Sequence, residues 1–412
     1  MALTLLDNIT IAVIVVSVWY IIYHFAIYYG IYHRVQWNEF LYGEGFKPAI
    51  SVIIASKNEE KDIENCLNAI LNQDYPENKF EILVVDESTD NTPNIINNIA
   101  KRYPEGKIKL IRPPPPPPHI NGISYSITKG VRAAKNEVIA VTEADCIPSR
   151  EWLKFIVYPL TPHNPDEVGI VGSHGIIIGD SLSANLQRLE FSGFLFAFLG
   201  ALDRARQSVG VGGASWGGSM CFRKKSFEQI RGYEGVEHIH LQDIALTWKF
   251  AKAGFKTAFL FNQRVKVVTR PHPQPIKQRL RWFRGGWQCR FHYTYHIGAV
   301  NIYGVPLAIE MFSLILIILA IFEIIPMHLG HIGFILLLIT TLMKYLTLLQ
   351  FTKSKLLLGN YKHSWKAILL YGFWMFIIQW IWFISIFTKP KYKWKEVEKY
   401  KDEEISSYMN TI

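Results

Sequence analysis

Residues 50–85 read ISVIIASKNEEKDIENCLNAILNQDYPENKFEILVV and set the expected architecture. The stretch begins with a β-rich apolar run, Ile50 to Ala55, and ends with another, Phe80 to Val85. Between the two runs, Glu60 to Asn72 has helical periodicity. The segment therefore predicts a strand, a helix and a second strand.

The same alternation continues along the chain. Thr92 to Lys101 has a helical pattern, whereas Ile108 to Ile111 and Val138 to Val141 are short β-rich runs. Strands that alternate with helices predict a parallel sheet covered by helices on both faces. Ligands of such sheets bind at the carboxyl ends of the strands, so we expect chemistry in the loops after Ala55 and Val85 and after the last strand.

The composition excludes a disordered chain and a fully soluble protein. Half of the 412 residues are hydrophobic and 19% are charged, whereas soluble proteins have about 25% charged residues. The net charge is +10, but the basic residues lie beside apolar stretches, which favours lipid headgroups over nucleic acid as partners. The four cysteines have no CxxC spacing, so we expect reduced thiols.

An uncleaved transmembrane helix is predicted near the amino end. Ile9 to Ile31 contains no charged residue, and about 20 apolar residues suffice to cross a bilayer. Basic residues follow this segment and none precedes it, so the positive-inside rule places the downstream domain in the cytosol. We expect a multi-pass protein of the cell membrane with a cytosolic catalytic domain.

Three further apolar segments follow near the carboxyl end, at Val305 to Ile325, Ile332 to Phe351 and Ala367 to Phe387. Three charged residues fall inside these segments: Glu310, Glu323 and Lys344. Charges in such segments usually face a protein interior. The topology contains one conflict, because the segments before and after the last apolar stretch are both rich in lysine. Either one basic segment is outside, or one apolar segment lies in the membrane interface.

Acidic residues follow two of the predicted strands. Asp86 and Asp90 lie in the loop after Val85, where carboxylates can accept hydrogen bonds from a nucleobase or a ribose. Glu143 and Asp145 follow the strand that ends at Val141, and two carboxylates at this spacing can reach one divalent metal. Hard cations such as Mg²⁺ and Mn²⁺ need oxygen ligands and tolerate a bound diphosphate.

Two patches between residues 217 and 243 are further candidates. The glycines of Gly217 to Arg223 allow a ligand to approach the backbone closely. Asp243 opens a helical run from Ile244 to Ala253, which makes it either a candidate general base or a helix cap.

The segment from Ile276 to Phe291 predicts an amphipathic helix at the membrane surface. Its apolar side chains form one stripe, whereas Gln278, Arg281 and Trp282 fall on the opposite side. Four basic side chains of this segment are expected to contact headgroups: Lys277, Arg279, Arg284 and Arg290.

The order of these patches resembles the family 2 glycosyltransferases over about residues 48–300. Within that family, the chain is similar to the membrane branch of cellulose, chitin and hyaluronan synthases and ceramide glucosyltransferase. The resemblance implies a Rossmann-like α/β GT-A fold, a nucleotide-sugar donor, Mg²⁺ or Mn²⁺ and inversion at the anomeric carbon. With it we expect about four transmembrane helices and one interfacial amphipathic helix.

The resemblance also implies roles for individual residues. Asp145 matches the metal-binding second acid of the DxD motif, and Asp243 matches the catalytic base. The nucleotide-sugar site would comprise Glu59, Asp86, Asp90, Glu143, Gln278, Arg281 and Trp282. Glu143 replaces the first Asp of DxD, and Gln242 replaces the Glu that precedes the base.

The favoured function is transfer of a sugar, from a donor that is best taken as uridine-linked, to a hydroxyl of a lipid or a growing polysaccharide. The alternatives are a processive synthase with translocation, transfer to dolichyl phosphate and a non-catalytic sugar-binding subunit. Membrane lipids are expected partners, nucleic acid is not, and a homo-oligomer stays open. The expected domains are a transmembrane helix (1–32), the GT-A domain (33–275), the interfacial helix (276–298), a membrane region of about three helices (299–390) and a charged tail (391–412).

Overall fold

The computed structural model describes residues 2–40, 46–118, 120–161, 168–191, 215–260, 263–289, 296, 298–353 and 364–388. The strands are β1 (Ile50–Ser56), β2 (Phe80–Asp86), β3 (Ile108–Ile111), β4 (Val138–Glu143), β5 (Cys146–Pro148), β6 (Val168–Ser173), β7 (Gly175–Ile177), β8 (Met220–Arg223), β9 (Lys256–Leu260) and β10 (Val267–Thr269). The helices are α1 (Ala2–Phe40), α2 (Ile63–Leu71), α3 (Thr92–Ala100), α4 (Gly122–Ala133), α5 (Trp152–Ile156), α6 (Leu182–Arg188), α7 (Lys224–Gln229), α8 (Gln242–Lys252), α9 (Pro275–Gln288), α10 (Val305–Ile321), α11 (Met327–Lys353) and α12 (Trp365–Ile386).

Seven strands form the main sheet, in the order β3-β2-β1-β4-β8-β6-β9. The α/β fold is therefore confirmed, and the four strands that the sequence predicted, β1 to β4, run parallel to one another as expected. Strand β8 runs antiparallel to both β4 and β6. This reversal places the beginning of β8, rather than its end, at the edge where β4 ends, because Met220 pairs with Val141. The glycines that precede Met220 therefore lie at the edge expected to bind ligands.

Strand β1 is buried along its whole length, and its side chains divide between two cores. Ile53 packs with Ile127 of α4 on one face, and Val52 packs with Leu67 of α2 on the other. Helix α4 approaches β1 closely at Gly130, where a Cβ atom would lie 2.6 Å from Cγ2 of Ile53. These cores on both faces hold the carboxyl ends of β1, β2 and β4 in fixed positions.

A second sheet joins β5, β10 and β7. Strand β10 pairs antiparallel with β5 and parallel with β7. This small sheet ties the chain after the Glu143–Asp145 pair to the segment that leads into α9.

Among the residues that the structure describes, four helices are long and apolar enough to cross a membrane, in agreement with the expected number: Leu5–Ala26, Val300–Ile321, Met327–Leu349 and Trp365–Ile386. The second of these begins with a π-helical turn, Val300–Gly304, that continues into α10. Glu323 was expected inside a segment, but it lies in the turn after α10, where its φ of 58° is incompatible with a continuing helix.

The two other charged residues of these segments form a buried ion pair. Nζ of Lys344 lies 2.5 Å from Oε1 of Glu310. In the orientation that satisfies both groups, the Gln379 amide donates to Glu310 and accepts from Lys344, at 2.9 and 3.1 Å. The prediction that these charges face a protein interior is thus confirmed for Glu310 and Lys344.

Candidate active site

The acids that follow β2 and β4 lie at one edge of the sheet. Strand β1 pairs Ser56 with Asp86 on one side and Ala55 with Glu143 on the other. Each acid is therefore the last residue of its strand, at the carboxyl edge of the sheet. The structure brings these two acids to the edge at which ligands of such sheets bind.

Asp86 is buried, with 1% of its surface exposed. It accepts hydrogen bonds from Oγ and the backbone N–H of Ser88, at 2.5 and 3.3 Å. Nε of Arg112 lies 3.7 Å from its Oδ2, and the same guanidinium donates to the carbonyl oxygen of Ser88 at 2.6 Å. The loop after β2 is thus folded around the Asp86 side chain.

Asp90 holds the end of this loop in place. Its Oδ1 accepts from the N–H and the hydroxyl of Thr92, at 3.0 and 2.6 Å, and its Oδ2 accepts from the N–H of Glu60 at 3.3 Å. Asn58, which has a φ of 53°, accepts from the N–H of Thr89 at 2.9 Å. These bonds join the turn after β1 to the loop after β2.

Glu59 belongs to the same turn and is buried, with 2% of its surface exposed. Its N–H donates to Oγ1 of Thr92 at 2.8 Å. The predicted nucleotide-binding residues Glu59, Asp86 and Asp90 therefore lie in two loops that are bonded to each other.

A metal could be held just after β4. Glu143, Asp145 and Cys146 each offer a ligand atom, and these atoms lie within 4.8 Å of one another. The two carboxylates fit a hard divalent cation, which takes oxygen ligands. The Cys146 thiol was not expected here from the sequence. A single cysteine without a CxxC spacing carries no signal of a metal site, and it was found only by its position beside Asp145.

Gly217 joins the acidic pair to the candidate base. Its N–H donates to Oδ2 of Asp243 at 3.0 Å. A Cβ atom at this position would lie 2.6 Å from Oε1 of Glu143 and 2.9 Å from Nε2 of Gln242. The two residues that depart from the family's usual motifs, Glu143 and Gln242, therefore point at the same glycine.

Asp243 lies in the first turn of α8, as predicted. The cap position of α8 is Leu241, so the alternative of a helix cap does not hold. Burial raises the pKa of Asp243 above the usual value, while the N–H groups of Ile244 and Gly217 donate to its carboxylate and oppose that rise. A half-buried carboxylate with an elevated pKa has the properties of a general base.

Helix α9 lies over the segment that leads into Asp243. A Cβ atom on Gly285 would lie 3.2 Å from Cβ of His240. The N–H of His240 donates to Oε1 of Gln288 at 3.0 Å. Burial, and after it the neighbouring Arg281 cation, lower the pKa of His240.

Trp282 connects α9 to the glycine patch through aromatic rings. Its ring stacks on Phe191 with centroids 5.4 Å apart, and Phe191 meets the ring of Trp216 edge-on at 5.7 Å. Trp216 directly precedes Gly217. Trp282 therefore lies beside the candidate site.

The headgroup role expected for Arg279 is wrong. Arg279 is fully buried, and its guanidinium bonds both carboxylate oxygens of Glu190 at 2.9–3.1 Å. The guanidinium lies 4.7 Å from the ring centre of Trp282 and donates to Oε1 of Gln278. Glu190 was missed because it is 89 residues away in the chain and belongs to no motif.

The other three basic residues of this segment have different surroundings. Lys277 is exposed. Nε of Arg284 donates to Oγ1 of Thr388 at 2.9 Å, so Arg284 bonds the end of α12. Arg290 lies outside the described residues.

A family model described as "Glycosyltransferase like family 2" matches residues 48–285, which is more than half of the 412 residues. "Probable glycosyltransferase YdaM" of Bacillus subtilis is 26% identical over 58% of this chain and 55% of its own. "Poly-beta-1,6-N-acetyl-D-glucosamine synthase" of Staphylococcus epidermidis is 25% identical over 58% of this chain and 54% of its own.

"Beta-monoglucosyldiacylglycerol synthase" of Nostoc is 26% identical over 60% of this chain and 50% of its own. The chain thus spans about half the length of the curated relatives that it matches. Among solved structures, "Mannosyltransferase PcManGT from Pyrobaculum calidifontis in complex with GDP-Man and Mn2+" has a TM-score of 0.50 and 16% identity, and the match covers 91% of this chain and 98% of that one. At this identity the likeness concerns the fold.

Proposed function

Because the chain belongs to the glycosyltransferase-like family 2, we propose that it is an integral-membrane, inverting glycosyltransferase. It transfers a sugar from a nucleotide diphosphate, with a uridine-linked donor as the first choice, to a hydroxyl of a lipid or of a growing polysaccharide. The catalytic domain faces the cytosol, where nucleotide sugars are present. Two of the relatives named above carry a polysaccharide and a glycolipid in their names, which supports a hydroxyl acceptor.

One observation carries this proposal: Gly217 lies between the candidate base and the acidic pair. Its N–H bonds Asp243, and the space where its side chain would be is bordered by Glu143. A sugar donor whose diphosphate lies at the acidic pair would therefore have its anomeric carbon near Asp243. This is the arrangement that a direct displacement by an acceptor hydroxyl requires.

In the proposed reaction, the acceptor oxygen forms a bond to the anomeric carbon while the bond from that carbon to the diphosphate oxygen breaks. Asp243 takes the proton of the attacking hydroxyl, which leaves a neutral carboxyl group and a nucleoside diphosphate. Because burial raises the pKa of Asp243, its carboxylate is a better proton acceptor than an exposed aspartate.

Glu143 and Asp145 would hold the divalent cation, with Cys146 beside them. Mg²⁺ or Mn²⁺ at this position would neutralise negative charge on the departing diphosphate. The buried carboxylate of Asp86 would bind the donor's nucleoside, in a pocket bounded by the loops that Glu59 and Asp90 hold together. From α9, Gln278, Arg281 and Trp282 would close the site.

The test is an assay of the purified protein in lipid nanodiscs with a panel of radiolabelled nucleotide sugars. We expect label to move from one donor into a lipid extract or a polymer, and expect Asp243→Asn to slow the transfer by roughly 10²–10⁴-fold without preventing donor binding. A protein that binds a nucleotide sugar but transfers it to no acceptor, in native lipid extract, would contradict the proposal and favour a sugar-binding subunit.

A further inference from the structure

Helix α12 touches the catalytic domain along its whole length. At its beginning, the N–H of Ser364 donates to Oδ1 of Asn185 at 3.1 Å. In its middle, Nε1 of Trp374 donates to Oε2 of Glu190 at 3.0 Å. At its end, Ser385 accepts from Nε1 of Trp287 at 2.8 Å. Asn185 belongs to α6 and Glu190 follows that helix, so both are part of the catalytic domain. Trp287 belongs to α9, which itself packs against residues 240–241 of the domain.

These contacts are incompatible with a membrane crossing. A helix of 22 residues is about 33 Å long, and the hydrocarbon core of a bilayer is about 30 Å thick. If α12 began at the domain and crossed this core, its end would lie on the far side of the membrane. Instead, both of its ends bond the domain side of the protein.

The contacts with α10 and α11 indicate the same orientation. These two helices form an antiparallel hairpin, in which Gly333 packs against Ser313. Helix α12 meets the hairpin near the ends that adjoin the domain, because the Tyr345 hydroxyl donates to the carbonyl oxygen of Leu369 at 2.6 Å, and Gly304 lies against the ring of Trp382.

The direction of α12 relative to α10 is decisive. As α12 advances from Gln379 to Trp382, its neighbour changes from Glu310 of α10 back to Gly304, in the π-helical turn that precedes α10. A helix that left the domain alongside α10 would pass these neighbours in the opposite order. Helix α12 therefore runs across the ends of α10 and α11 that adjoin the catalytic domain. The pair of Glu310 and Lys344 then lies near the membrane surface, where buried charges are less costly.

The side of α12 that faces away from the protein is apolar and exposed. Trp365, Leu369, Phe373, Ile384 and Phe387 are each 47–74% exposed. At about 100° per residue, these five positions lie within about 100° of one another around the helix. Such a face needs an apolar environment along the full length of the helix.

The charges at both ends of α12 identify that environment. Lysines lie before the helix at 353, 355 and 362 and in its first turn at 366, and they follow it at 389, 391, 393 and 395. Basic residues that flank an apolar helix face bind the anionic headgroups of the cytosolic leaflet. If α12 does not cross, both basic segments lie on the side of the catalytic domain, and the conflict with the positive-inside rule disappears.

We propose that α12 lies in the membrane surface on the side of the catalytic domain, with its exposed apolar face among the acyl chains of that leaflet. Of the four candidate spans in the described part of the chain, α1, α10 and α11 then cross the membrane. Helix α12 separates α9 from the lipid and fixes the height of the catalytic site above the membrane. The orientation is independent of the transfer reaction, so it can be tested on an inactive variant.

The first test is labelling with a membrane-impermeant maleimide in sealed vesicles. The four native cysteines are buried, so cysteines introduced at exposed positions report their own side. Glu105→Cys marks the catalytic domain, Glu323→Cys marks the turn between α10 and α11, and a cysteine appended after Ile412 marks the tail. We expect the tail to be labelled from the same side as position 105 and from the opposite side to position 323. Labelling of the tail together with position 323 would overturn the proposal.

The second test measures depth with nitroxide labels in lipid bilayers. The depth of each label is read from the ratio of its accessibility to oxygen and to a polar nickel chelate. Labels at 369, 373 and 384 of α12 should all have the same shallow depth. Labels at the exposed positions 334, 338 and 342 of α11 serve as the matched control and should change depth by about 1.5 Å per residue. A depth on α12 that rises to the bilayer centre and falls again would show a crossing helix.

Discussion

The N–H of Gly217 donates a 3.0 Å hydrogen bond to Oδ2 of Asp243, while the position of its missing Cβ lies 2.6 Å from Oε1 of Glu143. One residue without a side chain thus separates the candidate base from the candidate metal ligand. The atoms nearest to that position are the ends of two flexible side chains, Glu143 and Gln242, so an added methyl group would displace them rather than the backbone.

The first prediction concerns this glycine. Gly217→Ala should leave the folded state nearly as stable as the wild type, but should weaken metal binding by roughly 10–100-fold, as is common when a group that orients a metal ligand is changed. Titration with Mn²⁺ followed by electron paramagnetic resonance measures the affinity. Adding Glu143→Asp, which shortens the displaced side chain, should restore part of it. An unchanged affinity in Gly217→Ala would mean that Glu143 does not bind the metal.

The second prediction concerns the metal ligand itself. Asp145→Asn should weaken Mn²⁺ binding by at least about 100-fold, the upper range for disturbing a neighbour of a ligand, and should abolish transfer. Asp74→Asn is the control, since Asp74 is an exposed acid paired with Lys154. Equal Mn²⁺ affinity in the two variants, or full activity of the wild type in excess chelator, would refute a metal role for Asp145.

The third prediction concerns proton transfer. Asp243 must be ionised to accept a proton, and its pKa is raised by burial. The rate should therefore fall as the pH falls through this raised pKa, at a higher pH than an exposed aspartate would give. Asp243→Asn should lower kcat by roughly 10²–10⁴-fold, keep donor affinity and lose this acid limb. If the fall in rate at low pH persists in Asp243→Asn, it belongs to another titrating group. An unchanged turnover in this variant would instead favour the alternative of transfer to a phosphate acceptor.

Much of the sheet could be predicted because its strands are buried on both faces. Such strands are largely continuous apolar runs, and the predicted run Phe80 to Val85 ends one residue before the end of β2, which is buried along its whole length. The reversal of β8 could not be predicted, because Met220 to Phe222 is apolar in either direction and the orientation of the strand depends on pairing with β4 and β6. The position of Gly217 beside Asp243 depends on that reversal.

Helix α9 combines features that could be predicted from the sequence with features that could not. Its apolar spacing predicted a stripe that lies on the membrane surface, but Phe283 and Trp287 of this stripe pack against Tyr303 and Trp382 of the protein. Periodicity specifies which side of a helix is apolar, not what covers it. For the same reason the sequence could not distinguish Lys277, which is exposed, from Arg279, which is buried.

The fourth prediction concerns closure of the site by α9. Arg281→Ala should lower kcat/KM by about 10- to 100-fold, which corresponds to one hydrogen bond to a charged group. Trp282→Ala should also lower it, because the ring no longer supports Phe191 and Trp216. Lys277→Ala is the matched control on the same helix and should have almost no effect. All three variants should stay in the membrane fraction. Equal activities would mean that α9 only anchors the domain.

The fifth prediction concerns the buried pair of Glu190 and Arg279. Glu190→Gln removes the counter-charge of a fully buried guanidinium, and breaking one partner of such a pair costs roughly 3–5 kcal/mol. We expect a large fall in the melting temperature in detergent, whereas Lys277→Ala should melt like the wild type. If Arg279 only contacted lipid headgroups, the loss of its partner Glu190 would change the melting temperature little.

The same pair also connects the membrane helix to the site, since Glu190 accepts from Trp374 of α12 and Arg279 lies against Trp282. The double variant Glu190→Met with Arg279→Leu tests this connection. Replacing a buried ion pair by apolar side chains is often neutral for stability, so the double variant should regain the melting temperature that Glu190→Gln loses. Its KM for the donor should nevertheless stay raised, because Gln278 loses the guanidinium that orients it and Trp282 loses the cation stacked on its ring. Recovery of both stability and KM would make the pair purely structural.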